Sequence, residues 1–278
     1  MVMLDNSFNL IHGDSFEILP KFNNEFDLIF ADPPYFLSND GLSLQSGKIV
    51  SVNKGTWDKG KNINEIDDFN LKWLDLAKSA LKDSGSIMVS GTYHNIFSIG
   101  NTLQKLGYKI LNIITWQKTN PPPNFSCRYL THSTEQIIWA RKSEKHKHIF
   151  HYELMKFLNG DKQMKDVWEF PAIAPWEKTC GKHPTQKPLA LLVRLILMAS
   201  DSKSVICDPF AGSATTGIAA NLLGRNFVGI EKEQEFIKIA LARKAKLEIE
   251  KSDFRKKIRD LAILDKQKES LFEFHKKT

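Results

Sequence analysis

A layered α/β fold with a mostly parallel sheet is what this sequence predicts, on three observations. Short apolar runs alternate with helically spaced apolar residues along much of the 278-residue chain, the order that gives strands covered by helices on both faces. Two of those runs end in an acid and a proline. Phe26-Asp27-Leu28-Ile29-Phe30 leads into Ala31-Asp32-Pro33-Pro34-Tyr35, and Ser204 to Cys207 leads into Asp208-Pro209-Phe210-Ala211-Gly212. Proline fixes φ and removes a donor, so the chain must leave the sheet there. Each exit is a rigid lip at the C-terminal end of a strand, where open α/β sheets place their ligands.

Composition bounds the rest. An apolar fraction of 42% and a charged fraction of 26% describe an ordinary soluble protein with one substantial core or two modest ones. The longest apolar runs are far short of a membrane span, and the N-terminus lacks a basic region followed by an apolar one. Cys127, Cys180 and Cys207 are an odd number without paired spacing, so neither a disulfide framework nor a four-ligand zinc site is indicated. A reducing cytoplasm is the expected location. The formal charge of +7 favours a polyanionic partner.

Taken in order, Phe8 to His12 reads as a strand closed by Gly13-Asp14-Ser15, and a short helix follows with Phe16, Leu19 and Phe22 on one side. Asp14 fits a ligand contact and a helix cap equally well. From Phe36 to Asp68 the pattern dissolves into Ser, Asn, Gly and Lys around Trp57; a loop of this length in a compact domain is functional or disordered, and beside the lip it is expected to be a mobile, DNA-facing loop, with Trp57 equally a packing anchor or a DNA contact. Phe69 to Leu81 is an amphipathic helix, Ser86 to Ser90 a strand, Tyr93 to Leu106 a helix and Ile110 to Trp116 a strand. Residues 124–182 depart from this alternation. Glu135 to Ala140 reads as a strand, but the remainder mixes aromatic, basic and polar residues as a target-reading insertion would. Trp168 and Trp176 are better read as core residues. His146, His148 and His151 alternate with lysine and aliphatic residues, so a charged loop or edge is preferred there to a metal site.

Pro188 suits the first turn of a helix running through Leu189, Leu192, Val193, Ile196 and Leu197. After the second lip, Gly212 and Gly217 flank the opening of another helix, and Phe227 to Ile230 is a strand with Glu231 at its end. Gly212 permits close backbone approach and the helix start offers free N–H groups. Glu231 is positioned for a ribose diol, as the acid after the second strand is in dinucleotide folds. The loop is neither G-x-G-x-x-G nor a Gly-Lys-Ser/Thr loop, which disfavours a nicotinamide cofactor and ATP. The tail of 246–278 is charged with helical spacing. A solvated helical extension is the preferred reading; packing on a second copy in a homodimer and framing of a DNA groove are the others.

The first lip carries a carboxylate, carbonyls and an aromatic ring. The two hydrogens of an exocyclic amine can be accepted by Asp32 and the Pro33 carbonyl, and Tyr35 can stack on a base that has left the duplex. The competing reading is a plain Pro-rich turn with Tyr35 on the surface.

Asp32-Pro33-Pro34-Tyr35 early and Asp208-Pro209-Phe210-Ala211-Gly212-Ser213 late resemble the motif pair of the amino-group DNA methyltransferases of the beta arrangement, over roughly residues 8–245. Four further stretches, Tyr35 to Asn39, Val50 to Asp58, Thr115 to Pro121 and Gly181 to Pro188, are similar to the second methyltransferase of DpnII-type restriction–modification systems. The resemblance implies a three-layer Rossmann-like methyltransferase fold with a seven-stranded, mostly parallel sheet, the catalytic half preceding the cofactor half. It implies methyl transfer from S-adenosylmethionine to adenine N6 within GATC, on double-stranded and also single-stranded DNA. Asp32, Pro33, Pro34 and Tyr35 would then meet the target adenine, and Asp208, Phe210 and Gly212 would form the cofactor loop. Glu231 would hold the ribose, Asp14 would lie near the cofactor adenine, and Thr185 and Lys187 near its methionine end. Ala214 stands where the family more often has glycine. No metal and no covalent protein intermediate are expected. The alternatives are a cytosine-N4 enzyme, since the lip suits that amine too, and an inactive DNA-binding protein. A serine before the prolines is frequent in the cytosine enzymes, so Asp32 leans toward adenine.

Overall fold

The computed structural model describes residues 7–36, 42–45, 48–51, 62–124, 126–181 and 183–261. Its main sheet is built from β1 (Phe8–His12), β2 (Phe26–Ala31), β5 (Leu81–Gly91), β6 (Lys109–Lys118), β7 (Thr134–Arg141), β8 (Val167–Phe170), β9 (Val205–Asp208) and β10 (Asn226–Glu231). The spatial order is β1-β10-β9-β2-β5-β7-β6-β8. β7 runs antiparallel to both neighbours and the other pairings are parallel. The helices are α1 (Ser15–Ile18), α2 (Ile63–Ala80), α3 (Ile96–Lys105), α4 (Tyr152–Leu158), α5 (Leu189–Ala199), α6 (Thr215–Leu222), α7 (Gln234–Ile249) and α8 (Lys251–Leu261).

β2 shows why the layers form. Leu28 and Phe30 enter one core with α4, α5 and α6, whereas Ile29 and Ala31 enter the other with α2 and α3. Side chains alternate across a strand, so a run buried on both faces must be apolar throughout. Leu28 lies opposite Ile206 and Ile29 opposite Cys207. That register sets the two proline lips side by side, at the ends of neighbouring strands.

Three details differ from the expectations. The sheet has eight strands rather than seven, because Val167–Phe170 adds an edge strand beside β6. Trp168 and Phe170 point inward and Val167 and Glu169 outward, an alternation too short to stand out from its mixed surroundings. The stretch 124–182 therefore contributes β7 and β8 to the sheet itself. Second, α2 starts at Ile63, six residues before the apolar stripe predicts. Asn62 accepts from the Glu65 N–H at 3.0 Å and Glu65 accepts from the Asn62 N–H at 2.9 Å, a reciprocal cap that supports the first turn without apolar burial. Residues 42–45 and 48–51 pair as a two-stranded antiparallel sheet, β3 and β4; Trp57 lies outside the described residues. Third, the described start of the tail packs back on the body. Phe254 is buried, its ring meets Trp176 edge-on at 5.5 Å, and α8 contacts α5.

α5 is buried all round except at Arg194, whose guanidinium lies over the Phe170 ring at 4.5 Å and the Trp168 ring at 5.2 Å. Burial lowers its pKa to about 10. Trp168 is core as expected. His148 is set edge-on to Trp139, and His151 pairs with Asp201 at 3.0 Å. Among the described residues no group of three or more His, Cys, Asp or Glu is arranged to hold a metal ion, and no helix is long and apolar enough to cross a membrane.

Ala214 precedes α6 with φ 55° and ψ 41°, the left-handed region that glycine occupies without strain. An alanine there costs about 1–2 kcal/mol. Its fully buried methyl recovers roughly 0.8 kcal/mol, and alanine's smaller loss of backbone entropy recovers roughly as much again. The terms nearly cancel, which is how the turn keeps its shape without glycine.

Candidate active site

A cavity opens over the C-terminal ends of β1, β10, β9 and β2. Asp14, Asp32, Pro34, Thr185, Lys187, Asp208, Phe210, Gly212 and Glu231 all line it, so residues scattered from position 14 to position 231 converge on one space. Pro33 and Tyr35 are not part of the lining. Both are buried under the lip, and the Tyr35 ring packs inward rather than offering an open face.

The first lip is held by its own side chains. The Tyr35 hydroxyl donates to Asp32 Oδ1 at 2.6 Å and lies 3.2 Å from the Ser90 hydroxyl. Burial, with Asp32 alongside, pushes the Tyr35 phenol well above its usual range, so it stays a donor. Lys187 Nζ donates to Asp32 Oδ2 at 2.6 Å and sits 3.2 Å from the Tyr35 oxygen. This lysine is 6% exposed, so the solvated side chain that a lone lysine predicts is not what the fold makes of it. A carboxylate has about four acceptor sites. Two are taken here, and Asp32 retains capacity for an incoming N–H.

The second lip is a backbone cradle. Asp208 Oδ1 accepts from the Phe210 N–H at 3.0 Å and Oδ2 from the Thr216 hydroxyl at 2.5 Å. Burial outweighs both bonds and raises the Asp208 pKa from 3.8 to about 7. Gly212 has φ +52°, and a Cβ there would lie 2.8 Å from His183 Nε2; glycine is required by conformation and by space. Glu231 Oε2 accepts from the Gly212 N–H at 2.7 Å and Oε1 from the Glu233 N–H at 2.8 Å. Its carboxyl is raised by burial against those bonds.

Asp14 is a helix cap that also lines the cavity. It caps α1 by accepting from the Phe16 N–H at 2.9 Å and faces the cavity, with Lys232 Nζ 3.0 Å away. Burial raises its carboxyl, but the Phe16 and Lys232 bonds outweigh that and hold it below the usual value. An aromatic wall completes the space: Phe16 meets Phe69 edge-on at 5.4 Å, and Phe210 packs on Trp73 at 5.3 Å.

Sequence reasoning missed Phe16, Phe69, His183, Gln186 and Phe236 as lining residues. The aromatic ones sit in helices, where apolar spacing signals core and says nothing of a cavity. It also missed Glu135 near the start of β7. That carboxylate is buried, with Lys118 Nζ at 2.7 Å and Lys187 Nζ at 3.4 Å. Its one signal was an acid shortly ahead of the apolar run Ile137 to Ala140.

The cavity joins aromatic rings to carboxylates, the lining that a ligand carrying a ring, hydroxyls and a positive charge would need. The glycine at 212 leaves backbone-close room, Glu231 and Asp14 present carboxylates at the β10 and β1 ends, and Asp208 and Asp32 present carboxylates over β9 and β2.

Comparison with known proteins bears on this arrangement. The profile of a family described as DNA methylase matches residues 26–242. The type II methyltransferase M2.MboI of Moraxella bovis is 55% identical over 257 residues, 92% of this chain and 94% of the relative. M2.DpnII of Streptococcus pneumoniae is 55% identical over 240 residues, 86% and 90% of the two chains. Among solved structures, the M1.HpyAVI–SAM complex superposes with TM-score 0.65 at 30% identity, covering 84% of this chain and 98% of the other. The PvuII cytosine-N4-specific DNA methyltransferase shares the fold at TM-score 0.68 and 19% identity, over 92% of each chain.

Proposed function

The chain belongs to the DNA methylase family, and from that membership we propose that it methylates adenine N6 within GATC, as the modifying partner in a restriction–modification system. S-adenosylmethionine is the methyl donor; bound, it supplies an electrophilic methyl on a sulfonium, so the protein's tasks are positioning and charge. The observation that carries the reading is the convergence of Asp32 and the cradle of Asp208, Gly212 and Glu231 on one cavity.

The proposed roles are these. Asp32 accepts one hydrogen of the target amine on its spare lone pairs while Lys187 and Tyr35 hold the carboxylate still. The other is assigned to the Pro33 carbonyl from the motif alone, since Pro33 does not line the cavity; that bond would aim the nitrogen lone pair at the methyl. Pro34 lines the entry for the extruded base, and Tyr35 stiffens the lip from below. Glu231 binds the ribose diol and Asp14 faces the adenine end. Phe210 and Gly212 shape the cradle, and Thr185 and Lys187 lie toward the methionine end. The exposed residues around Arg128, Tyr129 and Leu130, which precede β7, belong to the region that reads the DNA.

Asp208 gives the site a pH signature. With a pKa near 7 it is neutral below that pH and anionic above it. In the ligand-free protein the raised value means stability that is full below the unfolded value and declines as pH rises through about 7. A cation favours the anion, so affinity for S-adenosylmethionine, relative to uncharged-sulfur S-adenosylhomocysteine, is expected to rise between pH 6 and 8 and then level off. Titration calorimetry on both ligands checks this, and the rise should vanish in Asp208→Asn.

The substrate is tested by tritium transfer to a panel of oligonucleotides. GATC duplex should be labelled and its scrambled counterpart should not. Single-stranded GATC should also be labelled, since extrusion then breaks no base pair, a step that otherwise costs a few kcal/mol. Equal labelling of scrambled DNA would remove the GATC assignment, and label on cytosine N4 would remove the adenine assignment.

A further inference from the structure

Behind Asp32 runs a buried chain of alternating charge. Lys118 Nζ on β6 lies 2.7 Å from Glu135 Oε1 on β7, Glu135 Oε2 lies 3.4 Å from Lys187 Nζ, and that Nζ donates to Asp32 Oδ2 at 2.6 Å. Lys187 and Glu135 are 7% and 12% exposed in their side chains. Glu135 does not line the cavity, so it meets neither base nor cofactor directly. It meets Lys187, the group that fixes Asp32.

A buried ammonium tends to lose its proton, and nearby carboxylates oppose that loss. Burial pulls the Lys187 pKa down, yet Asp32 and Glu135 together carry it well above its usual value. Burial likewise pushes Glu135 up, and Lys187 and Lys118 more than reverse it. Asp32 alone would leave Lys187 with one counter-ion, and that same counter-ion must also receive the substrate amine. A second carboxylate removes the conflict: the ammonium keeps its charge and its place while Asp32 turns part of its accepting capacity to the amine.

We propose that Glu135 is a positioning residue for methyl transfer, acting through Lys187 to hold the Asp32 carboxylate in line with the target amine. The inference rests on the reading of Asp32 as the amine acceptor. Its role explains an acid turned inward just ahead of the buried run Ile137 to Ala140, and it gives Lys118 a part as the outer balancing charge.

The test is Glu135→Gln, which keeps shape and removes charge, measured as tritium transfer to GATC duplex at saturating DNA and S-adenosylmethionine. kcat is expected to fall roughly 10–100-fold, within the range for displaced positioning groups, while the calorimetric Kd for S-adenosylmethionine stays within about threefold. The pH profile separates positioning from mere stability. The charged and titratable groups facing Lys187 are Asp32 and Tyr35 from the lip, Glu135 from β7 and Lys118 beyond it; Asp208 across the cavity is common to parent and variant. With one counter-ion gone, the kcat of Glu135→Gln should decline between pH 7 and 9.5, where the parent is level, and Glu135→Asp should restore the level profile. If the single variant does not fold, Lys118→Met combined with Glu135→Gln strands no outer charge and carries the same expectation. A folded variant, single or double, with kcat within twofold of the parent and a parallel pH profile overturns the inference alone. A parent that makes no N6-methyladenine overturns the functional reading and this inference with it.

Discussion

Asp32→Ala should lose methyl transfer by about 10³-fold while binding S-adenosylmethionine nearly as well as the parent. Removing one preorganised electrostatic contact from a reacting centre typically costs 10²–10³ in kcat. Here the same side chain also anchors the Tyr35 hydroxyl and the Lys187 ammonium, so the upper end applies. Alanine frees both partners and leaves Glu135 as the near carboxylate for Lys187. The cradle at Asp208, Gly212 and Glu231 is built from β9 and β10 and does not depend on the lip. Single-turnover transfer to a GATC duplex, alongside calorimetric titration of the cofactor, measures the two effects separately. Turnover near that of the parent would remove Asp32 from the reaction.

The second large effect is on cofactor affinity. Glu231→Ala removes the proposed acceptor for the ribose diol, and it also releases the Gly212 and Glu233 N–H groups that its two oxygens hold. Charge-assisted bonds of this kind contribute about 1.5–3 kcal/mol each before the loss is partly made up by water. A net deficit of about 2–3 kcal/mol corresponds to roughly 30–150-fold in Kd. Calorimetry on protein whose melting transition remains cooperative gives the answer, and an unchanged Kd would take Glu231 out of the binding site.

Much of this site was legible because its residues sit where strands end. Asp32, Asp208 and Glu231 each follow an apolar run, and a strand buried on both faces that stops in a carboxylate announces a rim. Gly212 was legible for a different reason, since a glycine opening a helix after a strand marks close approach. The start of α2 was also written in the chain, as Asn62 and Glu65 three residues apart, but weight on the apolar stripe from Phe69 obscured it. Other features were not local. Nothing near Lys187 says that it is buried, because its partners come from 155 and 52 residues upstream in the chain, at Asp32 and Glu135. The edge strand at Val167–Phe170 exists because β6 offers it a ladder, and its own four residues carry too little pattern to declare it.

The pairing of β2 with β9 has a consequence for how the protein comes into being. The two lips are neighbours in the sheet, yet position 32 is made long before position 208. At 5–20 residues per second, roughly 9–35 s of synthesis separate them. Closing a loop of that length costs about 4–5 kcal/mol in chain entropy by the logarithmic law, and the cost falls on the contact that creates the cavity. A nascent chain can therefore complete β2, α2 and β5 early, but the cofactor has no cradle until β9 and β10 emerge and dock. For this enzyme, a cofactor site can form only after β9 and β10 have been synthesised.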